Sequence, residues 1–211
     1  MLQGPSGLLQ VAVSMPKPQS SPLPYVFLMC HPHPQHEGSM DNKVVTMSVK
    51  AFNEMGVMGV RFNYRGVGQS EGSYGNLMGE IEDALFVLSW IRHYHPDIKI
   101  ILGGFSFGAA VAYSAAKQFD VSSLLSIAPP MSEYDMGPND QGQPIQVPWL
   151  VVLGDADEVI DPIASLNWLT CQKSSYYLIK LKGVGHFFHK NLVTLKQELI
   201  YHYKNRLMDI G

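Results

Sequence analysis

Short unbroken apolar runs alternate along the chain with longer stretches in which apolar positions recur at helical spacing. "YVFLMC" at 25–30 is apolar throughout, the pattern of a strand buried on both faces. Val44, Met47, Ala51, Phe52 and Met55 then form one helical stripe, which Gly56 ends. A second strand is predicted at 57–62, and Leu77, Ile81, Leu85, Leu88 and Ile91 mark a helix that must stop before Pro96. The same reading predicts a strand at 98–103, an alanine-rich helix at 107–118, and strands at 122–128 and 148–154. A helix around 162–172, a strand at 175–181 and a last helix through Leu192, Leu195, Leu199, Tyr203 and Leu207 complete the order. The opening "GLLQVAVSM" is a candidate antiparallel edge. Alternation of this kind requires right-handed crossovers and gives an α/β fold, a mostly parallel sheet with helices on both faces. Ligands of such sheets bind outside the carboxyl ends of the strands, so chemistry is sought in the loops that leave them.

Composition narrows the class without naming a chemistry. A chain of 211 residues reads as one domain, 1–211, able to bury a substantial core. A net charge of −3 supplies no general attraction to nucleic acid or to an anionic membrane. No apolar run reaches the roughly 20 residues that span a bilayer, and the start lacks a basic leader followed by an apolar stretch, so a cytoplasmic protein is expected. Cys30 and Cys171 are too few for a disulfide framework. Gly66 and Gly68 follow a strand, but the next glycine is Gly72, so the phosphate-cradling G-x-G-x-x-G is incomplete. No cofactor is expected. The oligomeric state is open between a monomer and a small homo-oligomer.

Gly104-Phe105-Ser106-Phe107-Gly108 is a G-x-S-x-G between a predicted strand and a predicted helix. That context makes it a nucleophile elbow, a sharp turn that lifts one hydroxyl clear of the sheet at a helix N-terminus. A serine hydroxyl is a weak nucleophile and needs a base that an acid orients, in the chain order serine, acid, histidine. The loop "GDADEVIDP" offers Asp155, Asp157, Glu158 and Asp161. Asp155 can close a turn and Asp161, before Pro162, reads as a helix N-cap, which leaves Asp157 favoured and Asp155 next. Of 8 histidines, His186 follows the last strand, and Gly183 and Gly185 free its backbone. One helix and one strand separate Asp157 from His186, so both loops leave the sheet edge that carries Ser106. For an oxyanion hole, the N–H of Phe107 is one donor. The loop "CHPHPQHEGSMDN" supplies the other: Pro32 and Pro34 have no N–H, which leaves His33 and Gln35, of which His33 is favoured.

These motifs together resemble the α/β-hydrolase superfamily, and most closely its small, nearly lid-free bacterial members. The matching stretches are Cys30 to Val45, Arg61 to Gly72, Gly79-Glu80 with Asp83, Gly104 to Gly108, "GDADEV" and "GVGHFF". The resemblance implies an α/β-hydrolase fold, a Ser106–Asp157–His186 triad and ester hydrolysis. One departure stands out: the group has paired glycines in the oxyanion loop, where this chain has Glu37-Gly38. Glu37 is expected to point to solvent or to pair with Arg65. The segment 129–147, where larger relatives insert a cap, is rich in Pro, Gly and Asn and too short for more than a loop or a helical turn. An open site follows, lined by Tyr74, Met131 and Tyr134, for a small or medium ester or thioester. Two other readings are carried. One is a metal-dependent hydrolase using His31, His33, His36 and Glu37, although no helical i, i+4 spacing places two rings on one face. The other is a catalytically silent binding protein on a hydrolase scaffold.

Overall fold

The computed structural model describes residues 1–16, 20–134 and 144–209. A hairpin of β1 (Leu2–Gly4) and β2 (Gly7–Leu9) leads into β3 (Val11–Ser14), and the alternation then runs as the sequence predicts. Its members are β4 (Tyr25–Cys30), α1 (Lys43–Glu54), β5 (Met58–Phe62), α2 (Met78–Tyr94), β6 (Lys99–Phe105) and α3 (Phe107–Ala116). They are followed by β7 (Ser123–Ile127), β8 (Trp149–Gly154), α4 (Pro162–Cys171), β9 (Tyr177–Leu181) and α5 (Leu192–Asp209). The sheet order is β3-β5-β4-β6-β7-β8-β9. Only β3 runs antiparallel, against β5, the edge expected of "GLLQVAVSM". This is the α/β-hydrolase fold.

The apolar run of β4 follows from burial on both faces. Val26, Leu28 and Cys30 point into one core cluster, with Ile81, Leu88 and Val111 of α2 and α3. Tyr25, Phe27 and Met29 point into the other, with Val44 and Phe52 of α1 and Leu195 and Leu199 of α5. The stripe on α1 is broader than predicted: Val45, Ser48 and Val49 are buried, while Met47 and Met55 are only partly so. α1 packs against both the sheet and α5, and two partners bury more than one stripe. The hairpin of β1 and β2 leaves no trace in the apolar pattern. Its strands are three residues each, below the length at which periodicity is readable.

Strand β6 extends two residues beyond the predicted end, so Ser106 follows its last residue directly at the centre of the sheet. The loops after β4, β8 and β9 open at the same edge, with Gly154 and Leu181 in register. The loop after β5 is held by α2. Asp83 is fully buried and accepts from the Arg65 backbone N–H at 2.9 Å and from its guanidinium Nη2 at 2.7 Å. Glu80, also buried, accepts from the N–H groups of Gly75 and Leu77 at 2.8 and 2.9 Å. The "GE" and "D" of the sequence motif thus organise the "RGVG" loop. Asp83→Ala removes the buried partner of Arg65 and leaves the guanidinium only the exposed Glu82, and is expected to cost about 3 kcal/mol, read from urea unfolding. Arg65 is taken by Asp83 and Glu82, and Glu37 is exposed. Of the two expectations for Glu37, solvent is the outcome. Its backbone is left-handed (φ 59°), the conformation that a glycine adopts without strain.

Candidate active site

Ser106 has φ 54° and ψ −126°, a strained conformation for a residue with a side chain. The flanking glycines explain how the chain tolerates it. A Cβ on Gly104 would strike the carbonyl of Gly108, and one on Gly108 would strike the carbonyls of Cys30 and His31. Strand, turn and helix therefore close on each other with no room for a methyl group. The Ser106 hydroxyl makes no capping bond to α3.

His186 Nε2 lies 3.1 Å from Ser106 Oγ, and His186 Nδ1 lies 2.8 Å from Asp157 Oδ2. Residues from three separate loops thus form one hydrogen-bonded chain. The imidazole is 3% exposed and Asp157 4%, so water competes little for either bond. The Phe105 ring covers the imidazole at 5.1 Å between centroids. Asp157 Oδ1 accepts from the N–H groups of Val159 and Ile160 at 2.9 and 2.8 Å, which fixes its other oxygen on the imidazole. Burial alone would raise the Asp157 pKa. The bond from His186 and the two backbone bonds outweigh it, and the carboxyl is held below its ordinary value. Asp157 is therefore an anion at neutral pH.

The competing acids have other work. Asp155 accepts from the N–H of Gly183 at 2.6 Å, closing a turn across two loops. Asp161 caps α4 through the N–H of Ile163 at 2.8 Å, with Pro162 next. Glu158, which sequence reasoning left without a role, accepts from the backbone N–H of His186 at 3.1 Å. Only its place beside Asp157 could have signalled this.

The His33 and Phe107 rings lie 4.8 Å apart, so the loop after β4 meets the start of α3 beside Ser106. The N–H of Phe107 is in the first turn of α3, where no helical carbonyl can reach it. With its Nδ1 accepting from the Gln35 N–H, His33 donates Nε2–H to the Tyr74 hydroxyl at 3.2 Å, and the Tyr134 ring stands edge-on to Phe107 at 5.5 Å. Tyr74, His33, Phe107 and Tyr134 thus form an aromatic wall next to the nucleophile. Met131 is 1% exposed and packs into the core cluster that contains Phe107. Residues 135–143 of the segment where a cap would be inserted lie outside the described residues.

The histidine loop is not arranged for a cation. His31 is fully buried, its Nδ1 bonded to the Pro32 carbonyl at 2.7 Å and its Nε2 accepting from the Tyr64 N–H at 3.1 Å. Burial lowers its pKa to about 3, so the ring is neutral and both nitrogens are engaged. His33 Nδ1 likewise accepts from the N–H of Gln35 at 3.2 Å. The metal-dependent reading fails: His31 and His33 keep no lone pair for a ligand role, and among the described residues no three His, Cys, Asp or Glu side chains are placed to hold a metal ion. Cys30 is fully buried, and burial pushes its thiol up to about 12, opposed by a hydrogen bond with Tyr64. Cys171 is exposed. A thiol reagent should titrate one cysteine per native chain and two after unfolding.

Comparison with known proteins agrees with the fold. The molecule is a serine hydrolase of the α/β fold. The chain belongs to the family described as X-Pro dipeptidyl-peptidase (S15 family), whose model matches residues 6–146. That span includes Ser106 but stops before Asp157 and His186. A crystal structure from Xanthomonas campestris, of an α/β serine hydrolase without a lid, is 40% identical with a TM-score of 0.90. The match covers 97% of this chain and 92% of that one. An α/β serine hydrolase homologue from Coxiella burnetii is 39% identical with a TM-score of 0.89, over 95% of this chain and 94% of that one. An uncharacterized protein of Rickettsia prowazekii is 30% identical, over 97% of this chain and 91% of that protein. No helix among the described residues is long and apolar enough to cross a membrane.

Proposed function

We propose that the protein hydrolyses small or medium carboxylic esters, and thioesters of similar size, through an acyl-enzyme on Ser106. The observation that carries this reading is the continuous chain Ser106 Oγ–His186 Nε2–His186 Nδ1–Asp157 Oδ2, with links of 3.1 and 2.8 Å. Ser106 Oγ attacks the ester carbonyl as its proton passes to His186 Nε2. The charge that develops on the carbonyl oxygen is met by the N–H groups of Phe107 and His33. Collapse of the tetrahedral intermediate expels the alcohol, which takes the proton from His186. Water then enters by the same route in reverse and releases the acid. Asp157 stays ionised throughout, holding the Nδ1–H and stabilising the transient imidazolium. The partly exposed Tyr74 and Tyr134 rings, which pack against the buried Phe107, support an apolar acyl or alkyl group.

The family's description raises a peptidase reading, and one panel separates the two. Hydrolysis of p-nitrophenyl esters and acyl thioesters of graded length is measured beside that of Xaa-Pro p-nitroanilides. Ester and thioester turnover with little amide cleavage supports the proposal, and preferential release of the Xaa-Pro dipeptide overturns it. The acid side of the pH profile adds a further expectation. A protonated imidazole cannot accept the serine proton, whereas Asp157, already held low, remains anionic across the range in which imidazoles titrate. The rate should therefore fall toward acid pH with the slope of a single proton. A second proton in that limb would contradict the assignment.

A further inference from the structure

We propose that Glu158 is a positioning residue for His186, acting through the main chain rather than the ring; the proposal rests on the role given to His186 above. Four consecutive residues, Asp155 to Glu158, grip the loop 183–186 rung by rung. Gly183 N–H reaches Asp155 Oδ1 at 2.6 Å, and Ala156 N–H reaches the Val184 carbonyl at 3.2 Å. His186 Nδ1 meets Asp157 at 2.8 Å, and His186 N–H meets Glu158 Oε2 at 3.1 Å.

Asp157 and Glu158 therefore hold the same residue at two points, one on its side chain and one on its backbone. The Asp157 bond fixes Nδ1, and the rungs at Gly183 and Val184 stop short of His186, so its own backbone can still shift between these contacts, which moves Nε2 relative to Ser106 Oγ. A carboxylate on the backbone N–H removes that freedom with a charge-assisted bond. The surrounding loop gives a reason for the tether. Gly183, Phe188 and Lys190 all have left-handed backbone, with φ of 69°, 53° and 63°. Two of these carry side chains, and such strain persists only where neighbouring contacts enforce it. The sequence keeps the space clear as well, because a Cβ at Gly185 would lie 2.5 Å from Glu158 Oε2.

The test compares Glu158→Ala with Glu158→Gln, which keeps a side-chain carbonyl able to accept the same N–H. On a p-nitrophenyl ester, Glu158→Ala should lower kcat by about 10- to 100-fold with KM nearly unchanged, the scale of a small misplacement of a reacting group. Glu158→Gln should recover most of that loss. Equal losses in both variants, or a change confined to KM, would overturn the proposal. A second measurement does not depend on turnover: the downfield proton resonance of the His186 Nδ1–H bonded to Asp157. It should be sharp in the wild type and Glu158→Gln, and broadened by exchange in Glu158→Ala at equal melting temperature. A resonance equally sharp in all three would overturn the positioning role. If the wild type turned over no ester while the resonance still behaved as expected, only the substrate assignment would fail.

Discussion

Ser106→Ala is expected to lower kcat for ester hydrolysis by on the order of 10⁶, the loss seen when the nucleophile of such a unit is removed alone. The fold should survive. The hydroxyl makes no capping bond to α3, and alanine retains the Cβ that the elbow already accommodates. The variant should therefore melt close to the wild type while turnover is lost. Loss of both together would show that the serine is needed by the turn itself.

Asp157→Asn should cost about 10⁴ in kcat, for a reason that lies in the loop around it. Asp157 Oδ1 is fixed by the N–H groups of Val159 and Ile160, and an asparagine carbonyl would keep both bonds. Its amide NH₂ would then face His186 Nδ1 as a donor. The imidazole would have to accept at Nδ1 and carry its proton on Nε2, the nitrogen that must take the proton of Ser106. Kinetics of the variant with the ester used for Ser106→Ala would measure the effect. A loss below tenfold would mean that the tautomer is not set by residue 157.

The elements and the nucleophile turn were legible because each rests on local pattern. Apolar runs bounded by polar loops gave the strands, and the glycines around Ser106 have steric partners that the motif already implies. Distinguishing Asp157 from Asp155 and Asp161 was also possible, since a residue after a strand-ending glycine and one before a proline have local uses that the structure bears out in their hydrogen bonds. Three features were not legible. Glu158 bonds across two loops, 28 positions apart in sequence, and apart from its place beside Asp157 nothing local distinguishes it from any exposed glutamate. His31 stays among the candidate ligands on sequence alone because its burial and its bond to Tyr64 appear only once β4 and β5 are side by side. The extent of the buried face on α1 depended on α5, at the opposite end of the chain.

The central claim is that Ser106 is a nucleophile activated by His186. Intact-mass analysis after exposure to a fluorophosphonate tests it most directly, because the reagent phosphonylates only a serine made reactive by its base. Wild-type protein should gain one adduct per chain, with the modified peptide containing Ser106. Ser106→Ala should gain none, and His186→Ala should react far more slowly. An adduct on Ser106→Ala, or unchanged labelling of His186→Ala, would contradict the account.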